Sequence, residues 1–198
     1  MKSMTGLAAL VVTVSCVSGC QQPQNSANTN DAPVVTEKPF AAGGTIDMQL
    51  EAGGYEVRAA AGNQIGVTVS GNIGNAKVEL SADGARADLK VKDTPRNNFH
   101  ATIEVPTSAD LVVRLGAGDL VMADITGNKD VENNAGNITI AVGDAKNYSS
   151  VDASVKAGDI NAAPFGGSKS GLLQHFTWAG DGKYKLRANL GAGNLSLK

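Results

Sequence analysis

The stretch "LGAGDL" at residues 115–120 returns almost unchanged as "LGAGNL" at 190–195, and its core recurs as "AGNI" at 135–138 and "AGDI" at 157–160. Each copy places a glycine (Gly118, Gly136, Gly158, Gly193) before Asp119, Asn137, Asp159 or Asn194, and then an aliphatic residue (Leu120, Ile138, Ile160, Leu195). Glycine takes a positive φ at little cost, and Asp and Asn favour turns, so each copy reads as a chain corner. The glycines are spaced 18, 22 and 35 residues apart. A motif returning about every 20 residues is the pattern of a β-solenoid with one corner per coil. Stacking in chain order would set a carboxylate beside an amide at every step, which avoids opposed like charges. A calcium ladder would need acidic residues at much denser spacing, so the motif is read as turn chemistry and no metal is expected.

Outward from these corners the chain carries short alternating runs, among them "TIDMQL" (45–50), "ADLKVK" (87–92), "DLVVRL" (110–115) and "KYKLRA" (183–188). Apolar residues at every second place, bounded by Gly, Asn or Asp, predict strands with one buried face. No stretch after Phe40 shows helical periodicity. The expectation is therefore an all-β, single-domain β-solenoid (β-helix) over 40–198, with irregular N-terminal strands before the tight corners begin. The segment "PFGGSKSG" (164–171) reads as a flexible loop, and 172–190 as a closing cap.

Upstream, residues 1–19 combine Lys2 with the apolar run "GLAALVVTV", too short for a permanent membrane span and typical of an export signal. The run ends in "VSGC" (17–20), which resembles a bacterial lipobox. That resemblance implies acylation of Cys20 and anchoring of the mature chain to a membrane. Residues 20–39 then form the lipidated cysteine and a flexible tether, since "QQPQNSANTNDAP" has too few apolar residues to bury. Gln21 in place of Asp points to the outer membrane, facing the periplasm or the cell surface. Loss of residues 1–19 removes Lys2 and Cys16, leaving 16 basic against 19 acidic side chains, net −3, and no cysteine pair. Such a balance gives no electrostatic reason to expect nucleic acid.

Signs of catalysis are sparse. The two histidines, His100 and His175, have no further ligands at metal-site spacing, and in "GSKSG" Lys169 stands where a nucleophile elbow carries serine. Of Asp119, Asp124, Asp152 and Asp159, most fall in or beside turns, where Asp is expected anyway. No catalytic residue, cofactor or metal is assigned, and the chain reads as a non-enzyme. Partner contact is expected at the closing segment, where "GKYKLRANL" alternates Lys183, Lys185 and Arg187 with apolar residues, and His175 and Trp178 lie nearby.

The pattern "ATIEVPTSADLVVRLGAGDLVMADITGNKDVENNAGNITIAV" (101–142) is similar to the bacterial putative-adhesin family, and "GLLQHFTWAGDGKYKLRANLGAGNLSL" (171–197) looks like its closing coils. The resemblance implies a β-helical envelope domain of unknown function. The functional expectation is a non-catalytic, membrane-anchored envelope lipoprotein that presents a rigid surface for binding or adhesion to an envelope protein or glycan. The alternative is a β-helix carbohydrate-active enzyme such as a polysaccharide lyase, which would gather several carboxylates and a basic residue in one groove.

Overall fold

The computed structural model describes residues 34–198. The signal peptide, Cys20 and most of the tether lie outside the described residues. The strands are β1 (Val34–Pro39), β2 (Thr45–Leu50), β3 (Gly53–Ala59), β4 (Gln64–Gly71), β5 (Lys77–Asp83), β6 (Arg86–Lys92) and β7 (Phe99–Val105). They continue as β8 (Asp110–Leu115), β9 (Gly118–Met122), β10 (Lys129–Ile140), β11 (Tyr148–Ala162), β12 (Gly167–Ala179) and β13 (Tyr184–Leu197). Single 3₁₀ turns at Ala145–Asn147 and Ala163–Phe165 flank β11.

Period-two alternation accounts for the strands. In β8, Leu111, Val113 and Leu115 are buried while Asp110, Val112 and Arg114 face outward; β6 buries Ala87, Leu89 and Val91 in the same way. Fully buried aliphatics such as Ile46, Leu111, Ile138 and Ile160 each contribute about 1.5–3 kcal/mol by leaving water. They belong to one core that runs from Phe40 to Leu197.

All thirteen strands join one mixed sheet, and β10 is its pivot. Its first half, Lys129–Asn133, pairs with β8, and its second half, Ile138–Ile140, pairs with β9. Two walls therefore leave β10 on one side, β8–β2–β6–β5 and β9–β3–β7–β4–β1. On the other side β13, β11 and β12 each run unbroken along both walls. The walls meet at a row of glycines in register: Gly53 with Gly118, Gly136 with Gly193, Gly193 with Gly158, and Gly158 with Gly171.

Gly136 shows why this row is glycine. Its φ is +124°, and a Cβ there would collide with the carbonyl oxygen of Gly118 on the neighbouring strand. A side chain would thus be excluded both by backbone conformation and by the closeness of the strands. Gly118, Gly158 and Gly193 have φ of +118°, +135° and +130°.

The architecture corrects the solenoid expectation. The strands form a nearly closed, barrel-like mixed sheet, not a β-solenoid. A solenoid stacks each coil on the next one in sequence with parallel pairing throughout. Here β1–β4, β4–β7, β5–β6 and β11–β12 are antiparallel, and β13, last in sequence, is inserted between β10 and β11. The corners consequently do not stack in chain order: Asp119 neighbours Asn137, Asn137 neighbours Asn194, and Asn194 neighbours Asp159.

Three local expectations change with it. Residues 34–39, placed in the tether by composition, form β1 and pair along their length with β4. The expected loop at 164–171 is a 3₁₀ turn running straight into β12, whose Gly167–Gly171 pair with Ala162–Gly158. The expected cap at 172–190 divides: β12 is the outermost strand beside β11, whereas β13 lies inside the sheet.

Candidate functional site

The outward face near the start of β13 forms a groove lined by charged and polar side chains. Alternation in β13 buries Leu186, Ala188 and Leu190 and leaves Lys185 and Arg187 exposed. Lys183, just before the strand, is also exposed and sits 5.4 Å from the centre of the Tyr184 ring. Successive outward side chains on a strand stand roughly 6.6 Å apart, so the three cations form a short row. A groove of about 590 Å³ runs along them, and its other charged lining residues are Asp110, Asp130, Asp152 and the buried Lys129.

Neighbouring strands supply those carboxylates in register. Asp152 of β11 and Asp130 of β10 flank Arg187, while Ser150 lies opposite Lys185. Asn128 ties the wall together: its backbone N–H and its Nδ2 both donate to Asp110 Oδ1, at 2.7 and 3.0 Å, and its Oδ1 accepts from the backbone N–H of Lys185 at 2.8 Å. Arg114 reaches Asp130 Oδ2 and Glu132 Oε2, each at 3.2 Å. Asp130 Oδ1 is buried and accepts no hydrogen bond among the described residues. His175 Nε2 lies 3.0 Å from Asp152 Oδ1, with both side chains about half exposed.

The acidic partners in this wall are thus engaged by Asn128, Arg114 and His175. Lys183, Lys185 and Arg187 take part in no ion pair among the described residues. They remain available to an external anion.

Of the five residues expected at a partner surface, His175, Lys183, Lys185 and Arg187 face outward here. Trp178 does not. It lies opposite Val151, on the core side of β12, with its ring 5.0 Å from Phe165, which in turn meets Tyr148 edge-on at 5.8 Å. Its surroundings make it part of the packing at the end of the core. The corner residues form a separate polar ridge: Asn137 Nδ2 donates to Asp119 Oδ1 at 2.8 Å, and Asn194 Nδ2 donates to Asn137 Oδ1 at 3.0 Å. Among the described residues, no three His, Cys, Asp or Glu side chains group to hold a metal ion.

Sequence reasoning missed Asp110, Asn128, Asp130 and Lys129. "NKDVEN" (128–133) carries the signal for Asn128, Lys129 and Asp130, an alternation that places Lys129 in an inward position, and Asp110 opens "DLVVRL". Lys129 is 2% exposed, beneath the groove; its Nζ donates to the Gly127 carbonyl at 2.9 Å and to the Tyr148 hydroxyl at 3.1 Å. Burial lowers its pKa to about 8, with Asp110 pulling the other way, and burial raises that of Tyr148 to about 12.

No protein-family model and no curated protein matches the sequence. Among solved structures, the chain is similar to a putative cell adhesion protein from Clostridium sporogenes ATCC 15579, with a TM-score of 0.53 and 14% identity over 84% of this chain and 100% of that one. At this identity the likeness is one of fold.

Proposed function

We propose that the protein is a non-catalytic, lipid-anchored binding or adhesion protein of the bacterial cell envelope, and that the β13 groove takes an anionic glycan. The observation that carries the reading is the row Lys183, Lys185 and Arg187 along a groove whose carboxylates are already engaged. A linear polymer with repeated negative charge can meet the three cations in turn, and Asn128 and Ser150 offer neutral hydrogen-bonding groups to its hydroxyls. Adhesion is supported by the fold likeness to the clostridial protein, and the anchor by "VSGC" at 17–20. The outer membrane is the expected address on account of Gln21.

The test is binding of polygalacturonate to the native chain and to the triple variant Lys183→Gln, Lys185→Gln, Arg187→Gln, with anionic vesicles in a parallel arm. The exposed positions leave the fold intact. Expected is a loss of affinity on the order of tenfold, equivalent to about 1.4 kcal/mol, for the polysaccharide. Equal binding by the two proteins would refute the groove, and loss confined to vesicles would make its ligand a lipid surface.

One observation favours a second reading, a carbohydrate-active enzyme. Three carboxylates, Asp110, Asp130 and Asp152, line one groove with three lysines and an arginine, and His175 stands against Asp152. The binding reading is preferred because Asp110 is held by Asn128 and Asp130 by Arg114, so neither carboxylate is directed at an open centre. Release of unsaturated oligosaccharides from polygalacturonate by the native chain, abolished in Asp152→Asn, would reverse the preference.

A further inference from the structure

Along the second wall the polar ridge of the corners ends in a vacancy. Asp159, Asn194, Asn137 and Asp119 stand side by side on β11, β13, β10 and β9. The next outward position in register, on β3, is Gly54, and the one after it, on β7, is His100. Asp119 and His100 therefore face each other across a position with no side chain, two strand spacings or roughly 9.5 Å apart at the backbone. The His100 ring leans over this gap, since a Cβ on Gly54 would lie 2.6 Å from its Nδ1, and it stops short of an ion pair with Asp119. Asp119 Oδ1 accepts from the backbone N–H and the Nδ2 of Asn137, at 3.1 and 2.8 Å, while its Oδ2 has no partner among the described residues.

The gap opens into a hollow of about 340 Å³, at the small end of ligand pockets. Its rim is the connection between β6 and β7, which brings Arg96, Asn97 and Asn98 to it. That connection is pinned along its length: Lys77 Nζ meets Asp93 Oδ2 at 2.7 Å, the Thr94 N–H donates to Glu51 Oε2 at 3.3 Å, and the Asn72 N–H donates to the Asn98 carbonyl at 2.7 Å. Arg96 is exposed and enters no ion pair among the described residues. The floor is bare backbone, because Gly53, Gly54, Ala117 and Gly118 carry at most one carbon beyond it.

These groups set distinct demands on a ligand. The guanidinium of Arg96 matches a carboxylate with two parallel N–H donors. Asp119 Oδ2 accepts from a hydroxyl, and His100 can meet the same group from the other side of the gap. Asn97 and Asn98 offer amides to further hydroxyls, and a ring with C–H bonds on one face can lie on the backbone floor. A small zwitterion would satisfy Arg96 and Asp119 but leave the amides and the floor unused, and a neutral sugar would leave the guanidinium unpaired. We propose that this corner hollow binds one pyranose ring of a sugar acid, with its carboxylate on Arg96 and a hydroxyl between Asp119 and His100. The site lies on the other wall from the β13 groove and does not rest on it.

The probe is D-galacturonate, titrated into the isotope-labelled full chain carrying Cys20→Ser, which leaves it unacylated, and followed by amide NMR. Saturable shifts are expected at Gly53, Gly54, Arg96, Asn97 and Gly118. Galactose, which lacks the carboxylate, and acetate, which lacks the ring, should bind there at least about tenfold more weakly. Arg96→Gln removes the charge, and Asp119→Asn keeps the Oδ1 that accepts from Asn137 while replacing the open acceptor by an amide nitrogen; each should weaken binding on the order of tenfold. Gly54→Ala fills the gap. Its backbone lies outside the left-handed region and the new Cβ meets the tip of an exposed side chain, so the variant should melt like the native chain and lose the sugar acid. The triple variant Lys183→Gln, Lys185→Gln, Arg187→Gln should keep the shifts at the hollow, which separates this site from the β13 groove. Absence of saturable shifts at the hollow overturns the proposal. So do equal binding of galactose, equal binding of acetate, native affinity in Gly54→Ala, or loss of these shifts in the triple variant.

Discussion

Lys129 Nζ lies 3.1 Å from the Tyr148 hydroxyl, in an inward row where Leu111 and Leu186 are its strand neighbours. The ammonium is held by a carbonyl, a phenol and the face of the Tyr148 ring 5.4 Å away, with no carboxylate in an ion pair. Burial shifts the balance of this group toward its neutral form relative to a free lysine, which gives the protein an unusual pH dependence.

In the unfolded chain Lys129 titrates near its ordinary 10.5, and in the folded protein near 8. Between these values the unfolded chain binds more protons, so stability rises with pH across the window. Below pH 8 the full cost of the buried charge is present. Tyr148 acts oppositely: its folded pKa of about 12 lies above the ordinary 10, so its contribution is complete below pH 10 and lost as pH rises toward 12. Urea denaturation should therefore show stability rising by on the order of 2 kcal/mol from pH 8 to 10 and declining above. Lys129→Met should abolish the rise and be at least as stable as the native chain at pH 7, since replacing a buried charge by an apolar side chain of similar volume is often neutral or stabilising. A flat native profile from pH 8 to 10 would contradict this account.

Gly136→Ala should be among the most damaging single-methyl additions in the chain. The new Cβ meets the Gly118 carbonyl, a backbone atom that cannot swing aside, at a φ of +124° that L-residues rarely adopt. A loss of about 3 kcal/mol or more is expected by chemical denaturation. Gly143→Ala serves as the comparison: its φ is also positive, at +64°, but nothing lies within 4 Å of its added Cβ. It should lose no more than about 1–2 kcal/mol, the cost of the left-handed backbone alone.

Asn137→Asp tests the polar ridge. Asn137 donates to Asp119 and accepts from Asn194, so the substitution removes a donor and puts two carboxylates together. The sites are exposed, and the expected loss is about 1 kcal/mol at neutral pH, shrinking as salt is added and as pH falls below the carboxylate range. Asn194→Asp should cost a similar amount, because it meets Asp159 on the other side. Asn137→Ser, which adds no charge, should lack the salt dependence.

Acylation predicts that the native chain partitions into the detergent phase on cloud-point separation, whereas Cys20→Ser partitions into the aqueous phase, two or more acyl chains being needed for stable anchoring. Equal aqueous recovery of both would remove the lipid anchor.

The sequence by itself determined the local features. Alternation set which face of "DLVVRL" or "KYKLRA" is buried, because successive strand side chains point to opposite sides whatever the strand pairs with. The corner motif likewise marked Gly118, Gly136, Gly158 and Gly193, since a positive φ is a property of single residues. Tertiary structure alone decided which corner stacks on which. The repeated corners are nearly alike, so any could sit on any other, and nothing local distinguishes chain order from the observed insertion of β13 between β10 and β11. The same holds for antiparallel β4–β7 and β11–β12, and hence for closure into a barrel-like sheet instead of a solenoid. The groove follows this pairing: Asn128 and Lys185 are 57 residues apart and meet only because β10 and β13 are neighbours. The cations were legible from β13 alone, and the carboxylates beside them were not.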